Sequence, residues 1–180
     1  MLGGVKRPPA PAAARLGLGL LAALGGAALS GRLTGWRSPV TAIALHAGLM
    51  RWSVDALPAT QPELRAAWFR VRPGEAALYR RAGAYAYMRL LRRLGWERLR
   101  RDSVGFTGRA ALTRLERAGR EAETNHLLIG TLGLLVAALA AHRRAWTVTL
   151  WHLLLTVVLH VYPIMLQRTL RARLTRPPNG

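Results

Sequence analysis

The sequence predicts an all-α, polytopic membrane protein with about four transmembrane helices and a basic amphipathic helix at the membrane surface. Three observations carry that expectation. The 180 residues are 51% hydrophobic, yet 27 Lys and Arg face only 8 Asp and Glu, for a formal charge of +19. The apolar residues are gathered into four blocks instead of being spread along the chain. The basic residues lie chiefly between and after those blocks, where membrane topology concentrates them. The length suits one domain, so residues 1–180 read as a single membrane domain. Its spans fall at about 12–30, 40–57, 124–141 and 145–166, and 58–123 form a cytoplasmic helical segment.

The first block is LGLGLLAALGGAAL at 16–29, which extends back to residue 12 if Arg15 snorkels. It has a second reading, because Lys6-Arg7, an apolar core and Ala28-Leu29-Ser30 also resemble a cleavable signal peptide. The second block, 40–57, is interrupted by His46, Arg51 and Asp55, and Arg51 with Asp55 has the four-residue spacing of a local helical ion pair. The third nearly meets the roughly 20 apolar residues that a crossing needs, and the fourth meets it easily. Between the second and third blocks, EAALYRRAGAYAYMRLLRRLGWERLRR follows an Arg72-Pro73-Gly74 break. As one helix it gathers Leu78, Ala82, Tyr85, Ala86, Leu90, Leu94 and Trp96 near one side and leaves arginines elsewhere. Such a helix suits the inner headgroup layer and anionic lipid. After a turn at 105–108, a further helix is expected to run from Arg109 straight into the third span.

The basic residues sort cleanly. The segment 58–123 holds fifteen arginines, the tail holds Arg168, Arg171, Arg173 and Arg176, and the two links between paired spans hold two each. The positive-inside rule then places both termini and the central segment in the cytoplasm, in a plasma or inner membrane, unless the first segment is cleaved. Membrane lipids are the expected partners. Nucleic acid is not, because the charge follows topology and no zinc-finger, RRM or KH signature occurs. The chain has no cysteine, which excludes disulfides and thiolate metal sites.

Polar residues inside apolar blocks are costly and often mark function. In the fourth block, Thr149, His152, Thr156, His160, Pro163, Gln167 and Arg171 are spaced at 3, 4, 4, 3, 4 and 4, one helical stripe that must face the bundle. Pro163 also frees the carbonyl near Leu159. At the mouth of the third block, Glu123 and His126 share a face. Below His126 come Gly130, Gly133 and Ala137, a small-residue stripe that admits a neighbouring helix. Antiparallel third and fourth spans bring Glu123 and His126 to the same leaflet as Gln167, Arg168 and Arg171. A Glu–His pair can orient an imidazole as a general base, and guanidinium groups can hold an anion.

Plainer roles compete. The tail arginines are expected as topology signals, Glu123 can pair with a central-segment arginine, and the histidines can be interhelical contacts. His46 with His152, and His126 with His160, also have matched depths that suit haem ligation in an electron carrier. Glu-x-x-His occurs only once, too few for a carboxylate-bridged metal bundle, and no metal site is assigned.

Three stretches resemble the glycosyl-4,4'-diaponeurosporenoate acyltransferases, small membrane proteins of staphyloxanthin-type carotenoid synthesis. FRVRPGEAALYRRAG matches an aromatic-rich segment of that family at Phe69, Arg72, Glu75, Leu78, Tyr79 and Gly83. AETNH matches an Ala-Glu-x-x-His helix entry at Glu123 and His126. HVYPIMLQRTLRARL matches the family's ending at Pro163, Ile164, Gln167, Arg168, Arg171, Arg173 and Leu174. His160 stands where the family tends to have Asn, Thr169-Leu170 replaces Tyr-Asn, and Tyr87-Met88-Arg89 lies near the place of a Trp-Lys pair. The resemblance implies transfer of a fatty acyl group to a hydroxyl of a lipophilic acceptor, with acyl-CoA as donor and no cofactor. On that reading Glu123 orients His126 as base, Gln167 and Arg168 stabilise the oxyanion, and Arg171 meets donor phosphates. His160, Tyr162, Glu75 and Tyr79 line the substrate site. A non-catalytic scaffold for other membrane lipid or pigment enzymes is the remaining class.

Overall fold

The computed structural model describes residues 10–60, 67–95 and 109–174. These form α1 (Ala10–Thr34), α2 (Pro39–Thr60), a 3-10 turn (Ala67–Phe69), α3 (Glu75–Arg81), α4 (Ala84–Arg93) and α5 (Arg109–His142). α6 (Trp146–Thr156), a π turn (Val157–Val161) and α7 (Tyr162–Leu174) complete the chain. Among the described residues there is no strand. The chain divides into two compact units, Met1–Glu63 with Thr124–Val161, and Leu64–Glu123 with Tyr162–Gly180. The expected turn at 105–108 and residues 96–101 of the surface helix lie outside the described residues.

Three helices are long and apolar enough to cross a membrane, Ala12–Thr34, Leu115–His142 and Trp146–Ala172, where the sequence predicts four. α2 forms over the expected 40–57, but His46, Arg51 and Asp55 dilute its apolar content. Arg51 Nη2 donates to both Asp55 oxygens at 2.7 and 2.8 Å on an exposed face. This is the local ion pair expected from the spacing, a type that contributes only tenths of a kcal/mol. The expected continuous surface helix is also corrected. It breaks between α3 and α4 at Gly83, whose φ of 87° favours glycine. Leu78, Leu90 and Leu94 remain exposed among exposed arginines. α5, by contrast, runs from Arg109 to His142 without interruption, as the sequence implies.

In the first unit α1 packs along α2, and α2 also meets α6. The first contact depends on small residues: a Cβ at Gly48 would lie 3.1 Å from the Ala23 backbone. Trp52 Nε1 donates to the Leu16 carbonyl at 2.9 Å and fixes the register. α5 and α6 are joined by a tight turn in which Arg144 adopts φ 57° and the Ala145 amide donates to Ala140 at 2.8 Å. Their seam is the expected small-residue stripe, with Gly130 against His160, Gly133 against Thr156 and His46, and Ala137 buried. Leu18, Leu21, Leu135 and Leu150 point outward, as lipid-facing residues do. In the second unit α3 and α4 pack against α7.

The Gly133 seam has no spare volume. An added Cβ would stand 2.5 Å from Thr156 Oγ1 and 2.7 Å from His46 Cε1, whereas at Gly25 nothing lies within 4 Å. Gly133→Ala is expected to destabilise the protein by about 1–3 kcal/mol. Gly25→Ala should leave it unchanged or gain from the removed helical glycine. Thermal unfolding in detergent micelles distinguishes the two.

Candidate functional site

The buried stripe of the fourth block forms as the sequence implies: Thr149, His152, Thr156 and His160 are all buried. Within the first unit its two histidines meet one from α2 and one from α5. His152 Nδ1 lies 3.1 Å from His46 Nε2, and His46 Nδ1 lies 2.9 Å from His160 Nε2. His160 Nδ1 in turn lies 3.3 Å from His126 Nδ1. Four imidazoles thus form one string, His152–His46–His160–His126, with ring centroids 5.1 to 5.5 Å apart. His46, His152 and His160 are buried, and His126 is half-buried. The π turn ends just before Tyr162-Pro163, and the Leu159 carbonyl four residues before the proline bonds the His126 ring.

The paired-depth expectation joined His46 to His152 and His126 to His160, but it missed the His46–His160 contact that merges the pairs. Two axial haem ligands stand about 4 Å apart across an iron, at about 2 Å per metal–nitrogen bond. At 3.1 Å the His46 and His152 nitrogens touch each other directly. Among the described residues no group of three or more His, Cys, Asp or Glu is arranged to hold a metal ion.

The second unit is organised by two arginines of α7. Arg168 donates from Nε and Nη2 to Glu75, from Nη1 to Glu123 at 2.7 Å and to the Trp68 carbonyl at 3.0 Å, and from Nη2 to the Arg70 carbonyl at 3.1 Å. A guanidinium has five N–H donors, and here each has a protein acceptor. Arg171 donates to the other Glu123 oxygen at 2.6 Å and to the Phe69 carbonyl at 2.9 Å. Glu123 is fully buried, and both arginines nearly so. The Arg168 guanidinium also lies over the Trp68 ring, and those of Arg171 and Arg120 over Phe69.

Glu75 completes this clasp. It accepts from Tyr79 and Arg168, and from the Arg72 amide at 2.8 Å. Burial would raise its carboxyl, but these donors outweigh burial and bring it from 4.5 down to about 2. Burial and the adjacent Glu75 carboxylate push the Tyr79 hydroxyl up to about 12.

The family model of the glycosyl-4,4'-diaponeurosporenoate acyltransferases matches residues 65–177. The chain belongs to that family. No curated protein and no solved structure matches it. The matched region of this acyltransferase-family chain holds the whole arginine clasp and three of the four string histidines, while His46 lies before it.

The site residues expected from sequence therefore fall into two groups. Glu123, Arg168, Arg171, Glu75 and Tyr79 engage one another in the second unit. His126 and His160 engage each other in the first. Glu123 gives both oxygens to arginines of the tail, not to the central segment. Arg168 has no N–H left for a substrate, and Arg171 is buried on Glu123 and Phe69. Gln167 is half-buried, with no hydrogen-bond partner among the described residues, and its Oε1 lies 3.3 Å from where Gly119 would carry a Cβ. Tyr162 donates its hydroxyl to the Ala82 carbonyl at 3.2 Å and stacks on Tyr87 at 5.0 Å. The backbone acceptors of Trp68, Phe69 and Arg70 carry no side-chain signal and were not legible in advance.

Lysine cannot reproduce five donors in one plane. Arg168→Lys is expected to cost about 3–5 kcal/mol, the usual loss when one side of a buried ion pair fails. Gln167→Ala should stay within about 0.5 kcal/mol of the parent. Denaturation in mixed micelles measures both.

Glu75 also makes acid stability informative. Its carboxyl is more acidic folded than unfolded, so its contribution is complete above about pH 4.5 and fades as pH falls toward 2. In an acid titration followed by near-ultraviolet circular dichroism, Glu75→Gln should lower stability at pH 7 and flatten the loss between those values.

Proposed function

We propose that this chain transfers a fatty acyl group from a thioester donor such as acyl-CoA to a hydroxyl of a lipophilic acceptor at the cytoplasmic leaflet. A glycosylated carotenoid or a similar lipid is the acceptor class. The observation that carries this reading is the family match over 65–177, which includes a partly exposed histidine, His126, backed by other imidazoles. A hydroxyl becomes a nucleophile when a base takes its proton, and His126 is the string member nearest the surface. Gln167, with its amide free of described partners, is retained as the oxyanion donor. Arg80, Arg81, Arg89 and Arg93 are exposed and suit the phosphates of the donor, a role that the buried Arg171 is poorly placed to fill. Arg168, Arg171, Glu123, Glu75 and Tyr79 act by holding the second unit together.

His126→Ala in purified protein supplied with acyl-CoA and a hydroxylated lipophilic acceptor should lower kcat by about 100-fold or more. An unchanged rate removes His126 from the mechanism, and no acyl product from the parent protein removes the function.

The reading also needs α2 to cross with the three more apolar helices, so that both termini share the cytoplasmic side. With no native cysteine, single cysteines at Ser38 and Arg143 test this cleanly. Four crossings label both from the outer side, whereas an α2 that does not cross places them on opposite sides.

A further inference from the structure

The acyl-transfer reading uses only one of the four string histidines, and the other three need an account. Each neutral imidazole carries one N–H and one lone pair. Three ring-to-ring contacts use three of each, so a neutral string of four keeps one lone pair for one end and one N–H for the other. The relay takes the orientation in which His126 shares one N–H between His160 and the Leu159 carbonyl and keeps its lone pair. When a proton enters at one end, one proton moved per contact carries the excess to the other end, and its release there leaves the string reversed and every ring neutral. The end at His126 is partly exposed, and the end at His152 is buried. Gly133 leaves His46 room to sit between its two neighbours, since even a Cβ there would press on its ring.

We propose that His160, His46 and His152 form a proton relay behind His126. The inference rests on the acyl-transfer reading. The acceptor O–H bond breaks as its oxygen attacks the thioester carbonyl, and the proton goes to the lone pair of His126. His126 passes its other N–H proton to His160, His160 passes one to His46, and His46 passes one to His152. The excess proton comes to rest on His152. When the C–S bond breaks, the departing thiolate takes a proton from His126 and the string shifts back. The ester and the thiol carry every atom, and the protein ends unchanged. The relay carries the proton away from the acceptor oxygen while the new ester bond forms, and the cost of an imidazolium at the buried His152 drives it back once the thiolate departs. His160, His46 and His152 touch no substrate and are positioning residues for the proton.

The test uses the full chain in lipid nanodiscs with acyl-CoA and a hydroxylated lipophilic acceptor, and kcat is measured across mixtures of H2O and D2O. The relay gives the parent protein a bowed dependence, because several protons move together. His46→Gln and His152→Asn should each straighten it and lower kcat by about 10- to 100-fold, with KM held. A straight dependence in the parent, or parental kcat in both variants, overturns the relay and leaves the acyl-transfer reading standing. If the parent makes no acyl product, that reading fails, and nitrogen-15 resonances of histidine-labelled protein decide the relay alone. Ring nitrogens averaged by proton exchange support it, and four rings each fixed in one tautomer refute it.

Discussion

The guanidinium of Arg168 is the point on which the second unit depends. Its donors reach Glu75 in α3, Glu123 in α5 and the carbonyls of Trp68 and Arg70 beside the 3-10 turn. Without this one side chain the Trp68 and Arg70 carbonyls would lose their guanidinium donor, and Glu123 would stay fully buried with Arg171 as its remaining cation. Arg171 repeats the arrangement on Glu123 and Phe69. The carbonyls at 68–70 belong to a short segment with little regular structure of its own. Its backbone is ordered from outside by arginines about 100 residues later in the chain. The stretches 69–83 and 163–174 thus have a physical reason for occurring together in one chain, a fold interaction between their residues.

The first unit follows the same rule of internal satisfaction with a different chemistry. Imidazoles can be donor and acceptor at once, which carboxylates and guanidiniums cannot. A run of histidines can therefore satisfy itself in an apolar interior without importing a counterion. The glycines of α5 make this geometry reachable, because they allow the histidine face of the last helix to approach closely.

Much of this was legible in the sequence, and the parts that were not have physical causes. Periodicity placed Thr149, His152, Thr156 and His160 on one buried face, because a face that avoids lipid has to be continuous along a helix. It also carried α5 unbroken from Arg109 through the third span. Gly83 was visible but not read as a break, since a helical glycine is only mildly unfavourable and nothing local demands a positive φ. The merger of two histidine pairs into one string depends on three-dimensional approach between α2 and the last helix. The engagement of Glu75 by Arg168 spans 93 positions, and no local pattern encodes it. Past the π turn the buried residues are Arg168, Thr169 and Arg171, with Gln167 only half-buried. A strict 3.6-residue count had put Gln167 on the inner stripe.

That turn also sets how the gene can vary here. A π turn holds one residue more than the α-helical turn it replaces, and each residue in an α-helix advances the face by about 100°. Loss of a single codon within 157–161 would let the last helix relax into an unbroken α-helix of nearly the same length and hydropathy. Every position after the deletion would then move by one place in the helical count. Apart from the buried His160, the stretch is valine and leucine, where exchange of one aliphatic residue for another keeps the helix apolar. Away from His160, length more than identity is what the turn has to keep.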